Sequence, residues 1–85
     1  MNILVTGGCG FIGSNLIKFI LEKKADKVSK VVNLDSLTYA ASLSNTDDFV
    51  DDPKYVFEHV DLCDVESLRS VIQTHQITHI IHLAA

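Results

Sequence analysis

Residues 6–13 read Thr6-Gly7-Gly8-Cys9-Gly10-Phe11-Ile12-Gly13, and the reading of this stretch decides the fold. It holds Gly8-x-Gly10-x-x-Gly13 and, overlapping it, Gly7-x-x-Gly10-x-x-Gly13. Just before it, residues 2–6 (NILVT) form a short apolar run, which predicts a buried strand. After it, from Phe11 to about Lys24, apolar residues recur at Ile12, Leu16, Phe19 and Ile20. That spacing predicts a helix with one buried face. A glycine turn between strand and helix is a specific setting. The helix points its unpaired amides at the turn, and its dipole puts roughly half a positive charge there, so a diphosphate is attracted to the spot. In that role Gly7 permits the tight turn, Gly10 lets the backbone approach the pyrophosphate, and Gly13 lets the helix lie close to the strand.

Working outward, residues 28–35 (VSKVVNLD) predict a second strand and residues 55–60 (YVFEHV) a third. Residues 36–53 are polar and acidic, and predict a loop with at most a short helix. Asp64 stands at an N-cap position, followed by Val65, Leu68, Val71 and Ile72 at helical spacing, with an end near His75. Residues 77–83 (ITHIIHL) predict a fourth strand. Strands alternating with helices imply an α/β fold, a parallel sheet with right-handed crossovers. The expected arrangement is a partial Rossmann-type sheet of four strands in the order 3-2-1-4, with helices on both faces. The run Ile80-Ile81-His82-Leu83-Ala84-Ala85 is apolar for an edge strand. Residues 1–85 are therefore expected to be the N-terminal part of a larger domain, with its remaining strands and a substrate domain beyond them.

The composition sets bounds. Of the 85 residues 47% are hydrophobic and 21% charged, too apolar a mixture for a disordered chain. Lys and Arg number 7 against 11 Asp and Glu, a net charge of -4 that argues against a nucleic-acid-binding module. Lys18 interrupts the best apolar stretch, so no membrane span is expected, and the N-terminus lacks the pattern of a signal peptide. Cys9 and Cys63 lie far apart without metal or redox spacing, which points to the cytoplasm.

Asp35 closes the predicted second strand, roughly 20 residues beyond Gly13, the separation at which a carboxylate grips an adenosine ribose. Hydrogen bonds to such a charged acceptor are worth about 1.5–3 kcal/mol. The same charge repels a 2′-phosphate, and no Arg follows to neutralise one, so the expected cofactor is NAD rather than NADP. Asp61 and Leu62 close the third strand, where the carboxylate could accept from the adenine amine and the leucine pack on the ring. Capping of the next helix is the equally available reading of Asp61. Leu83, Ala84 and Ala85 end the fourth strand at the carboxyl edge of the sheet, where small side chains leave room for a ligand or simply pack.

Together these residues resemble the extended short-chain dehydrogenase/reductase family, whose members modify nucleotide sugars. Residues 6–15 (TGGCGFIGSN) look like that family's glycine turn, and residues 80–85 (IIHLAA) like its fourth-strand end. Asp35-Ser36-Leu37-Thr38-Tyr39-Ala40 and residues 55–64 (YVFEHVDLCD) are similar to segments of the family's nucleotide-sugar dehydratases. Cys9, Ser36 and Ala41-Ser42 depart from the usual Ala, Lys and Gly-Asn. The resemblance implies that Phe11 and Ile12 contribute backbone at the phosphates. It implies that Asp35, Ser36, Leu37 and Thr38 surround the adenosine ribose, that Asp61 and Leu62 hold adenine, and that Leu83, Ala84 and Ala85 line the way to the nicotinamide. It further implies a nucleotide-sugar substrate, oxidation at C4, loss of water and hydride return, in a lyase that can be a homo-oligomer.

The Tyr-x-x-x-Lys pair on which that hydride exchange relies does not occur: Leu43 follows Tyr39 at the fourth position and His59 follows Tyr55. No catalytic residue is assigned, and these residues alone are expected to be inactive. The alternatives are part of a nucleotide-sugar epimerase of the same family, and a non-catalytic module that binds NAD or pairs through its fourth strand. His79 and His82, three apart on a strand, face opposite ways and are not expected to share a metal. The acidic cluster at Asp47, Asp48, Asp51 and Asp52 lacks a calcium loop's spacing. Cys9 lies at a helix N-terminus that could lower its pKa, although such positions commonly serve as slots for a small side chain.

Overall fold

The structure, a computed structural model, describes residues 1–37 and 42–84; the expectations at Thr38 and Ala85 lie outside the described residues. The elements run β1 (Asn2–Thr6), α1 (Phe11–Lys23), β2 (Lys30–Asp35), a short 3-10 turn (Leu43–Thr46), β3 (Tyr55–His59), α2 (Val65–Thr74) and β4 (His79–His82). All strand pairs are parallel, in the order β3-β2-β1-β4, which is the expected topology. Ile3 lies opposite Val31 on one side and His79 on the other.

Alternation along the strands divides the core into two layers. Ile3, Val5, Val31 and Tyr55 face α1 and meet its Ile17, Ile20 and Leu21. Leu4, Val32 and Leu34 face α2 and meet Val71, with Leu68 and Ile72 half-buried beside them. The central strands are thus covered on both sides, one helix to each face.

Helix α1 corrects the expected buried face. Ile12 is 73% exposed and Phe19 51%, while Gly13, Ser14, Ile17, Ile20 and Leu21 turn inward. The cause lies at the start of the helix. A Cβ on Gly13 would collide with the Gly7 carbonyl oxygen and come within 2.8 Å of the Gly8 Cα. The helix therefore presses its Gly13 edge against the turn, and that contact sets its rotation.

Strands β2 and β4 begin later than their apolar runs suggest. Val28 is buried, but its carbonyl accepts from Lys54 Nζ at 3.0 Å, and β2 begins at Lys30. Ile77 is taken up by the end of α2. Its amide reaches back to the Ile72 carbonyl at 3.1 Å while the Gln76 amide bonds Gln73 at 3.2 Å, a Schellman ending with Gln76 in the left-handed region at φ 52. Between the acidic residues of the long connection, Phe49 is a buried anchor, packed edge-on against Tyr55 with ring centroids 4.9 Å apart. Edge strand β4 leaves Ile80 exposed. Among the described residues no helix is long and apolar enough to cross a membrane.

Asp64 caps α2 as expected. Its Oδ1 accepts from the Ser67 amide at 3.2 Å and its Oδ2 from the Ser67 hydroxyl at 2.7 Å. The hydroxyl bond, then the amide bond, hold the carboxyl below its ordinary value. A group whose pKa falls on folding stabilises above its unfolded value, and that contribution disappears as pH drops through the folded one. Asp64→Ala is expected to lower the thermal midpoint near neutral pH, with the gap from the wild type closing below about pH 4. Thermal denaturation of both proteins across that range checks this; a gap independent of pH would remove the cap.

Candidate functional site

The carboxyl ends of β1, β2 and β4 meet at the glycine turn. Gly7 sits at φ 80, in the left-handed region open to glycine, and its amide donates to the Leu34 carbonyl at 2.9 Å. A Cβ there would lie 2.9 Å from the Ala84 amide nitrogen, so the end of β4 closes directly onto the turn. The Thr6 hydroxyl ties the same end down. It accepts from the Leu83 amide at 3.1 Å and the Ala84 amide at 3.4 Å, and faces His82 Nδ1 at 2.6 Å. Ala84 is half-buried against Gly7, whereas Leu83 is exposed at the rim.

The four glycines serve different ends. A Cβ on Gly8 would strike the Asn33 side-chain oxygen and lie 2.6 Å from the Ile17 Cδ1. Gly13 is held against Gly7 and Gly8, as above. At Gly10, by contrast, the nearest atom to such a Cβ is the Gly7 carbonyl oxygen at 3.4 Å, and φ is -74. Packing and backbone both allow a side chain at Gly10. Its absence leaves open the face over the N-terminus of α1. There the first amide satisfied within the helix is that of Ser14, which reaches the Gly10 carbonyl at 2.9 Å. Among the described residues no side chain caps this end, and its first turn carries no acidic residue. The amides of Phe11, Ile12 and Gly13 thus crown an uncapped positive terminus, which suits an anion. The Phe11 and Ile12 side chains are themselves exposed.

Asp35 stands beside this terminus, buried, and it has a second task that the sequence did not reveal. Its Oδ2 accepts from the Cys9 amide at 2.9 Å and its Oδ1 from the Leu37 amide at 2.8 Å. Each carboxylate oxygen carries two lone pairs, so this engagement orients the group and leaves acceptor capacity for a ligand hydroxyl. Leu37 adopts φ 58, uncommon for a branched side chain, and the Asp35 bond holds it there. The Ser36 carbonyl lies 3.0 Å from His59 Nε2. Asp61 and Leu62 lie at the end of the neighbouring β3. The Asp61 carboxylate is exposed and accepts from the Cys63 amide at 2.9 Å, while Leu62 is half-buried against the α2-side core.

Below the turn lies a polar cluster that sequence reasoning missed. Asn33, fully buried, donates through Nδ2 to the Tyr55 hydroxyl at 3.0 Å and to the Cys9 sulfur at 3.3 Å. Its Oδ1 has no hydrogen-bond partner among the described residues and lies over the Gly8 backbone. The visible signal was an amide inside Val31-Val32-Asn33-Leu34, a polar residue in an apolar strand. Burial pushes the Tyr55 phenol above its ordinary value. Burial likewise pushes the Cys9 thiol up, the Asn33 hydrogen bond opposes this, and the charge of Asp35 adds to it. Cys9 is fully buried, which fits a slot for a small side chain.

A parallel βαβ unit with a glycine turn at its switch point, extended by a second unit on the other face, defines a partial Rossmann fold. A family model described as GDP-mannose 4,6 dehydratase matches residues 4–85, and the chain belongs to that family. It is 47% identical to a dTDP-glucose 4,6-dehydratase of Haemophilus influenzae, a match that covers 100% of this chain and 24% of that protein. The solved dTDP-glucose 4,6-dehydratase of Bacillus anthracis, in complex with NAD, superposes with a TM-score of 0.93 at 40% identity. That match covers 100% of this chain and 27% of the other. UDP-glucose 4-epimerase of Thermotoga maritima, solved with UDP-glucose, superposes with a TM-score of 0.80 at 30% identity, over 24% of its length. The chain spans about a quarter of the length of these relatives.

The glycine geometry makes a direct prediction. Gly8→Ala is expected to cost about 1–3 kcal/mol, because the tightly held Asn33 cannot move aside. Gly10→Ala is expected to cost at most about 0.5 kcal/mol, as at an unconstrained surface site. Urea denaturation of both variants measures the difference; equal losses would mean that Gly10 too is fixed by packing.

Proposed function

We propose that residues 1–85 form the NAD-binding N-terminal part of a nucleotide-sugar dehydratase acting on a dTDP-glucose-type substrate. The observation that carries this reading is the open, uncapped N-terminus of α1 with the Asp35 carboxylate one hydrogen bond away at the Cys9 amide. The likeness to dehydratases, one of them solved with NAD, supports it. In this reading the Phe11, Ile12 and Gly13 amides bind the pyrophosphate across the bare face of Gly10. Asp35 accepts from the adenosine ribose through the lone pairs that Cys9 and Leu37 leave over. Ser36, Leu37 and Thr38 border the ribose, Asp61 takes the adenine amine with Leu62 beside the ring, and Leu83, Ala84 and Ala85 border the path to the nicotinamide.

The chemistry a nicotinamide supplies when bound is reversible hydride transfer. No role on the sugar is assigned to the described side chains, and in this reading the dehydration requires residues besides these. These 85 residues alone, incubated with NAD and dTDP-glucose, are expected to yield no keto sugar. The superposition on an epimerase supports a second reading, a nucleotide-sugar epimerase with the same cofactor half-site.

Isothermal calorimetry tests the cofactor reading. NAD is expected to bind, and NADP to bind more weakly because its 2′-phosphate meets Asp35. Asp35→Ala is expected to weaken NAD by about tenfold to a hundredfold, or about 1.4–2.8 kcal/mol. An unchanged heat and affinity in the variant would take Asp35 out of the site.

A further inference from the structure

Every polar group of Cys9 has a partner, and the partners come from two separate segments, β2 and the 3-10 turn with its N-cap. The amide is held by Asp35 at the end of β2, and the sulfur by Asn33 within it. The carbonyl is held from beyond residues 38–41, by the Ser42 amide at 3.1 Å and by Asn45 Nδ2 at 2.8 Å. That carbonyl belongs to the same peptide as the Gly10 amide, which donates to the Gly7 carbonyl at 3.2 Å. Gly10 is the residue from which α1 starts, and with no Cβ its torsions are soft. A free Cys9–Gly10 peptide could therefore tilt and shift the Phe11 and Ile12 amides from their present aim, even with Gly13 seated on the turn. The anchors on its oxygen prevent this, and among the described residues Asn45 is the one anchor that is a side chain.

We propose that Asn45 is a positioning residue of the glycine turn. By holding the Cys9 carbonyl it keeps the Phe11 and Ile12 amides aimed at an anionic ligand before that ligand arrives. The 3-10 turn is thereby coupled to the phosphate-binding end of α1. The inference rests on the NAD-binding reading for its ligand, but the latch itself exists in the free protein.

Asn45 is exposed and its bond to the Cys9 carbonyl only part-buried, so water is expected to take its place when it is removed. Asn45→Ala removes the donor, and Asn45→Asp removes it while keeping the shape. Both variants of the 85-residue chain are expected to retain the thermal midpoint of the wild type without nucleotide. Both are expected to shift the Cys9 carbonyl carbon resonance, which reports hydrogen bonding at that oxygen. Both are expected to weaken NAD by about threefold to tenfold, the net worth of one hydrogen bond. If the wild type binds NAD and either variant binds it equally well, the positioning role is overturned. If the wild type binds no NAD, the cofactor reading fails, and the carbonyl resonance still decides the latch: unchanged in the variants, it overturns the inference.

Discussion

The contact between Gly13 and the Gly7 carbonyl brings α1 closer to the turn than any side chain would permit. The rotation of α1 follows from it. With Gly13 inward, Ser14, Ile17, Ile20 and Leu21 are buried and Ile12 is carried out to solvent, whatever its hydrophobicity. Seating Ile17 against Gly8 fills the space above Asn33, so the buried amide has no room to relax toward water. The aim of the helix terminus follows as well. A helix seated on the turn leaves its first amides just beyond Gly10, at the carboxyl edge of the sheet.

The polar groups at this edge fall into two sets, and the division explains why the site keeps its shape. One set is consumed internally: the Cys9 amide, carbonyl and sulfur, the Asn33 amide and the Thr6 hydroxyl. These bonds join β1, β2, β4 and the 3-10 turn at a single place, so the loop is held without help from a ligand. The other set remains available, namely the amides that open α1 and the spare acceptor capacity of Asp35. A binding edge whose framework is held in advance loses little conformational freedom when it engages a partner.

Much of this was legible in the sequence, and the failures share one cause. The strand order, the two crossovers, the Asp64 cap and the positions of the glycine turn and Asp35 depend on local pattern and on rules of connection. Sequence carries both. The rotation of α1 is different, because Ile12, Leu16 and Phe19 fit a helical stripe as well as Ile17, Ile20 and Leu21 do. A single small residue at a tight crossing selects between them, and the periodicity does not record it. The same holds at Gln76, where a left-handed ending usually marked by glycine is made by a residue that gives no hint of it. Asn45 was invisible for a related reason. It lies in an irregular segment, where spacing predicts no direction for a side chain.

The placement of the cluster also shows why stability and recognition are difficult to separate at this edge of the sheet. β1 is the one strand with a neighbour on each side that leads to a different half of the topology, β2 toward β3 and β4 toward the edge. Its end is therefore the switch point, where a crevice opens at the carboxyl edge of such sheets. A crevice needs backbone polar groups that face outward, and a core this thin has few layers beneath them. The structure meets both demands at once by placing an amide, a thiol and a phenol, in Asn33, Cys9 and Tyr55, directly under the turn. An apolar residue at Asn33 would remove the unpartnered oxygen but also the bonds that hold Cys9 and Tyr55, leaving the turn to be positioned by shape alone. The buried amide is thus better explained by the orientation it imposes on the turn above it than by any gain in the stability of the sheet.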